Sequence, residues 1–189
     1  MLLKRPTPLE WTAAVLADLD AFLIDHAANE RKASAAALAL VAHYPDRPEL
    51  VARCIALARE ELAHFEEVVK RVAERGRTLG PDVRSVYLGR LAREYRQGSE
   101  AYFLDRLVTG AIVEARGCER FGLLAAALPD GTLKDFYRDL ARTEVRHLET
   151  YLDLARTYFV PREVEERLEE LLDAEARVME SLPLRAALY

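Results

Sequence analysis

Cysteine is scarce. Cys54 and Cys118 are the two present, and neither belongs to a Cys-x-x-Cys pair. That excludes a disulfide framework and a thiolate metal knuckle, so both are expected as reduced thiols. Long apolar runs are missing as well: no stretch approaches the roughly eighteen residues that a membrane-crossing helix needs, and no span is expected. The opening MLLKRPTPLEW reaches Lys and Pro before any hydrophobic run develops, unlike a secretory leader, and the expected address is the cytoplasm. Runs that alternate polar and apolar residues, as half-buried strands do, are few. No flavin- or iron-sulfur-binding motif is visible. A net charge of −5 argues mildly against a partner bound by charge alone.

What the chain does have is helical periodicity almost throughout. Its 189 residues, 51% hydrophobic and 31% charged, suit one globular domain, expected to span residues 1–189. The pattern predicts a helix from Pro8 to His43, stopped by the prolines of YPDRP, and a second from Pro48 to Arg75, stopped at Gly76. A connection from Arg77 holds the turn GPD and leads to a short basic helix near Arg84 to Arg96. Further helices are expected at Glu100 to Leu128, at Thr132 to Tyr158 and, acidic in character, at Pro161 to Ser181. The expected fold class is all-α: two hairpins joined by one long crossover into a four-helix bundle, with an additional short helix and a C-terminal one.

Polar residues interrupt the apolar stripes of four of these helices. On the second helix the stripe runs Cys54, Leu57, Ala58, Glu61, His64, Phe65, Val68, Val72, so Glu61 and His64 point inward with the core. The Thr132 helix repeats the arrangement with Glu144 and His147 between Ala141 and Leu148. Glu30 is embedded between Ala27 and Ala33 on the first helix, and Glu114 between Ala111 and Gly117 on the Glu100 helix. A carboxylate buried without compensation costs several kcal/mol or becomes protonated. The stripes contain no Lys or Arg, whereas two divalent cations would match the charge of four carboxylates, with neutral imidazoles completing the coordination. Each hairpin thus offers one Glu from its first helix and a Glu-x-x-His from its second, the ligand set of ferritin-like carboxylate proteins. Oxygen and nitrogen donors without thiolate favour iron or manganese.

Other residues on these stripes have competing readings. Gly110, Gly117, Ala27 and Ala33 either leave volume beside the metals or let helices pack closely. His26, one turn before Glu30, is either a core or boundary histidine or a residue that orients the ligand. Tyr137 and Tyr151 either pack or hydrogen-bond to ligands, Trp11 and Phe22 are taken as packing, and His43 reads as a helix-end residue. Charge is uneven: Lys70 to Arg96 holds eight basic and three acidic residues, Arg162 to Glu180 three basic and eight acidic. The first run is a solvated face or a surface for a polyanion.

The stretches LIDHAANERKASAAAL, LAREELAHFEEVVKRVAERG, LVTGAIVEARGCERFGLLA and RTEVRHLETYLDLA closely resemble the MiaE family of tRNA hydroxylases. The resemblance implies a ferritin-like di-iron fold, with iron ligands at Glu30, Glu61, His64, Glu114, Glu144 and His147 and no catalytic residue beyond them. Glu61 and Glu144 are implied as bridging, Glu30 and Glu114 as terminal. It further implies dioxygen as co-substrate and hydroxylation of a terminal methyl on the isopentenyl group of 2-methylthio-N6-isopentenyladenosine beside the tRNA anticodon. An external reductase would supply two electrons per turnover. On this reading the Lys70 to Arg96 segment is the expected phosphate-facing rim, since affinity for nucleic acid is largely phosphate neutralisation. The alternatives are a ferritin-like iron-oxidising or peroxide-removing protein, and a non-catalytic bundle that metals merely stabilise.

Overall fold

The computed structural model describes residues 2–189, and all regular structure among them is helical. Helix α1 spans Leu9–Ala17, α2 Leu19–His43, α3 Pro48–Glu74, α4 Val86–Leu91, α5 Ser99–Ala127, α6 Thr132–Tyr158 and α7 Pro161–Glu180, with one 3₁₀ turn at Ala92–Glu94. The long first helix expected from the sequence is two helices. Asp18 breaks it: with φ at −141° it leaves the helical region, and its carboxylate accepts the Ala21 N–H as the N-cap of α2. The continuous apolar period hid this cap.

The chain divides into two compact units. The first, Ala13–Val83 with Arg185–Leu188, is built on the α2/α3 hairpin. Phe22, Leu23 and Ala37 from α2 meet Leu50, Cys54 and Leu57 from α3 in its interior. Each large apolar side chain fully buried there is worth about 1.5–3 kcal/mol. Ser34 Oγ donates to the Ala58 carbonyl at 2.8 Å and ties the helices at mid-length. Pro48 opens α3, and Gly76 closes it at φ +69°, a left-handed value that a side chain would strain. Beyond Gly76 the chain is irregular as far as Val83, and Arg75 and Arg77 both clasp Asp20 in the first turn of α2.

The second unit comprises the chain up to Thr12, Arg84–Leu184 and Tyr189. Its frame is the α5/α6 hairpin, against which α7 lies along α5. Phe103, Leu107 and Phe121 of α5 and Tyr137, Leu140 and Leu154 of α6 fill the interior. Gly110 allows the close approach of Tyr151, since a Cβ there would stand 2.8 Å from its ring. The acidic helix α7 turns its few inward polar groups onto partners. Glu175, fully buried, accepts from Arg116, with Nη2 at 2.7 Å, and from the Tyr87 hydroxyl at 3.1 Å. Arg167 donates from Nε to Asp105 at 2.7 Å, and Arg96 grips the same carboxylate.

Candidate metal centre

In the α2/α3 unit three of the expected ligands are neighbours. The three-residue step from Glu61 to His64 puts both on one face of α3, and His64 Nδ1 lies 3.6 Å from Glu61 Oε2 and 3.6 Å from Glu30 Oε2 across the hairpin. On the far side of Glu30, His26 Nε2 stands 2.6 Å from Oε1, so the carboxylate sits between two imidazoles. Glu61 is 1% exposed, Glu30 4%, and the His64 side chain 16%, which makes His64 the solvent-reachable member.

In the α5/α6 unit, His147 Nδ1 lies 3.3 Å from Glu144 Oε2, both almost fully buried, and Glu114 is buried on α5. Cys118, one turn beyond Glu114, donates its thiol to the Ala141 carbonyl at 3.2 Å. Burial and the nearby Glu144 and Glu119 carboxylates push that thiol's pKa up, which keeps it protonated and outside a thiolate role. Buried carboxylates set against imidazoles are the donors that hard and borderline divalent ions take, so the residues present fit a metal centre. Glu61, His64, Glu144 and His147 each offer a ligand atom suited to such an ion.

The structure also places the other residues of these stripes. Gly110 and Gly117 of α5 are closely approached: a Cβ on Gly110 would stand 2.8 Å from the Tyr151 ring, and one on Gly117 3.3 Å from the Tyr189 hydroxyl. Tyr137 packs against Phe121, His43 caps its own helix through the Ala39 carbonyl, and Trp11 is buried beneath the Arg120 guanidinium. Most cations of the basic run have partners within the chain, in pairs that lie largely at the surface. Lys70 and Arg71 pair with Glu67, Arg75 and Arg77 with Asp20, Arg96 with Asp105, and Arg90 bonds Ser181; Lys70, Arg75, Arg77, Arg84 and Arg93 are exposed. Sequence reasoning missed the Arg116–Glu175 pair, whose partners lie 59 residues apart with no local signal.

Residues 1–186 match the family described as tRNA-(MS[2]IO[6]A)-hydroxylase (MiaE). The chain belongs to the MiaE family. A curated MiaE relative, the tRNA 2-(methylsulfanyl)-N(6)-isopentenyladenosine(37) hydroxylase of Pseudomonas putida, is 39% identical over 176 residues, covering 93% of this chain and 85% of that protein. The hydroxylase of the same description from Salmonella typhimurium is 37% identical over 108 residues, 57% of this chain and 40% of that protein. A solved structure described as Protein 43 with aldehyde deformylating oxygenase activity from Synechococcus superposes with a TM-score of 0.93 at 38% identity, covering 98% of this chain and 92% of that one. The fold of this MiaE member is all-α and ferritin-like, as its helical pattern led one to expect. No helix among the described residues is long and apolar enough to cross a membrane.

Proposed function

We propose that this MiaE-family chain is an oxygen-dependent di-iron monooxygenase that hydroxylates the isopentenyl group of 2-methylthio-N6-isopentenyladenosine at position 37 of tRNA. The observation that carries the reading is the repeated half-site: one buried Glu on the first helix and a Glu-x-x-His on the second, in each hairpin of a chain whose curated relatives bear that hydroxylase description. Glu30, Glu61 and His64 would hold iron from one hairpin, and Glu114, Glu144 and His147 from the other, the two units working as a single domain. Iron bound there supplies the activation of dioxygen, with two electrons per turnover from an external reductase.

The chain's own residues do the rest. Burial of the carboxylates excludes water and strengthens their hold on a cation. His26 fixes Glu30 from behind at 2.6 Å and orients its second oxygen toward His64. The substrate base lies in a single-stranded loop, where it can leave the stack and enter a protein site. The cytoplasm, where tRNA resides, is the matching address.

The test is mass spectrometry of nucleosides from modified tRNA incubated with iron-loaded protein, reductant and dioxygen. The expected result is gain of one oxygen on the prenylated adenosine. A chain that binds iron but leaves the nucleoside unchanged would instead support the iron-oxidising or peroxide-removing reading. Deformylation of an aldehyde would support the activity described for the Synechococcus protein.

A further inference from the structure

Within the α2/α3 unit, a cavity of about 560 Å³ opens between α2, Phe65 of α3 and the irregular strand of chain from Leu79 to Val83. Its volume falls within the roughly 300–1,000 Å³ of small-molecule sites. Ala21, Ile24 and Ala28 give it one apolar wall, three or four residues apart on a single face of α2, and Phe65 gives it an aromatic one. Two of its lining residues directly follow proposed ligands in sequence: Arg31 after Glu30, and Phe65 after His64.

Part of its lining is charged. Asp82 accepts from Lys32 Nζ at 2.9 Å and from Arg31 Nη2 at 3.2 Å, and the Lys32 ammonium also donates to the Val83 carbonyl. The Leu79–Val83 segment is lightly packed: a Cβ on Gly80 would meet Ile24 at 3.7 Å, and Leu79 and Val83 stay exposed. Exposed ion pairs of this kind are weak. A phosphate presents more acceptor oxygens to the same two cations, at higher charge, and competes with a single carboxylate.

We propose that this cavity is a nucleotide subsite for the single-stranded RNA loop, with an unstacked base against Phe65 and Ile24 and its phosphate displacing Asp82 from Arg31 and Lys32. The inference rests on the tRNA reading of the preceding section. It assigns the RNA contact to α2 and the Leu79–Val83 segment, where an apolar and aromatic wall adjoins two cations. Aromatic walls beside cations are the general means of holding single-stranded nucleic acid.

Fluorescence anisotropy with a synthetic anticodon stem-loop carrying the modified adenosine tests it, alongside iron content and hydroxylation of the same probe. Ile24→Trp, which fills the cavity, is expected to weaken binding roughly five- to hundredfold, the range seen when one base loses its stacking. Lys32→Gln is expected to weaken binding and to flatten the salt dependence by about one counterion. Asp82→Asn, a mild surface change, is expected to tighten binding, with iron content as in the parent. If Ile24→Trp and Asp82→Asn bind the stem-loop as the parent does while the parent hydroxylates it, the subsite is wrong and the tRNA reading stands. Weakening by Lys32→Gln alone also removes the base from the cavity. A parent protein that neither binds nor hydroxylates the probe ends both.

Discussion

Two groups of buried carboxylates in this protein meet the same physical problem in different ways. Glu175 and Asp105 lie on guanidinium groups: Arg116 on the first, Arg167 and Arg96 on the second. Glu30, Glu61 and Glu144 lie against imidazoles, at distances from 2.6 to 3.6 Å. Arginine carries a permanent charge and satisfies a carboxylate from within the chain. Imidazole is charged only when protonated and, when neutral, is itself a metal ligand. The first arrangement is complete as it stands and holds α7 to α5. The second would be completed by an external cation, so on the proposed function stability belongs to the first group and metal binding to the second.

The largest expected effect separates them directly. Glu144→Ala should abolish iron binding at its half-site and reduce hydroxylation below detection, while the melting temperature of the metal-free protein holds or rises, because a buried charge is gone. Adding ferrous iron should raise the melting temperature of the parent by mass action and leave the variant's unmoved. Arg116→Ala should do the opposite. It leaves Glu175 fully buried without its cation, and removing one partner of a buried pair costs about 3–5 kcal/mol. Urea unfolding reads that loss, and iron per folded molecule should stay at the parent value. Equal loss of stability in both variants would erase the distinction.

The difference between the groups was half legible in the sequence. Glu61, His64, Glu144 and His147 stood out because a local period of three and four residues places them on stripes that are otherwise apolar, and the structure buries both glutamates and His147 there. The hairpins and the crossover followed from the same period and from proline and glycine stops. Arg116 and Glu175 left no such trace, since their pairing joins α5 to α7 and neither residue interrupts a stripe in a way that names the other. Asp18 was hidden for another reason: a cap is one residue's φ and one side-chain hydrogen bond, and the apolar pattern runs on through it. Gly110 was legible as small but not as a seat for Tyr151, which depends on the facing helix.

An intermediate effect follows from that seat. Gly110→Ala would place a Cβ 2.8 Å from the Tyr151 ring, and overpacking of this kind costs about 1–3 kcal/mol. Tyr151 is on the helix that carries Glu144 and His147, so the displaced ring should also lower iron affinity modestly. Equilibrium dialysis against a ferrous chelator, read beside urea unfolding, checks whether packing and metal binding are coupled in this hairpin. Unchanged affinity with lowered stability would show that the hairpin yields at Tyr151 without moving its ligands.

The smallest expected effect is confined to acid. Burial pushes the Asp105 carboxyl up, but the hydrogen bonds from Arg167 and Arg96 outweigh it and hold its pKa below the ordinary value of 3.8. A depressed carboxylate stabilises the fold fully above its unfolded value, and that contribution is lost as pH falls through the folded one. The difference in urea midpoint between the parent and Asp105→Asn should therefore be constant from neutral pH down to about pH 5 and shrink below pH 4. Metal release should come earlier in the same titration, because carboxylate and imidazole ligands bind only when deprotonated and protons compete with the ion for them. Following iron by absorbance and folding by circular dichroism in one acid series gives two curves. Their separation measures how far the arginine-held acids outlast the imidazole-held ones, and coincident curves would mean that the fold depends on the metal itself.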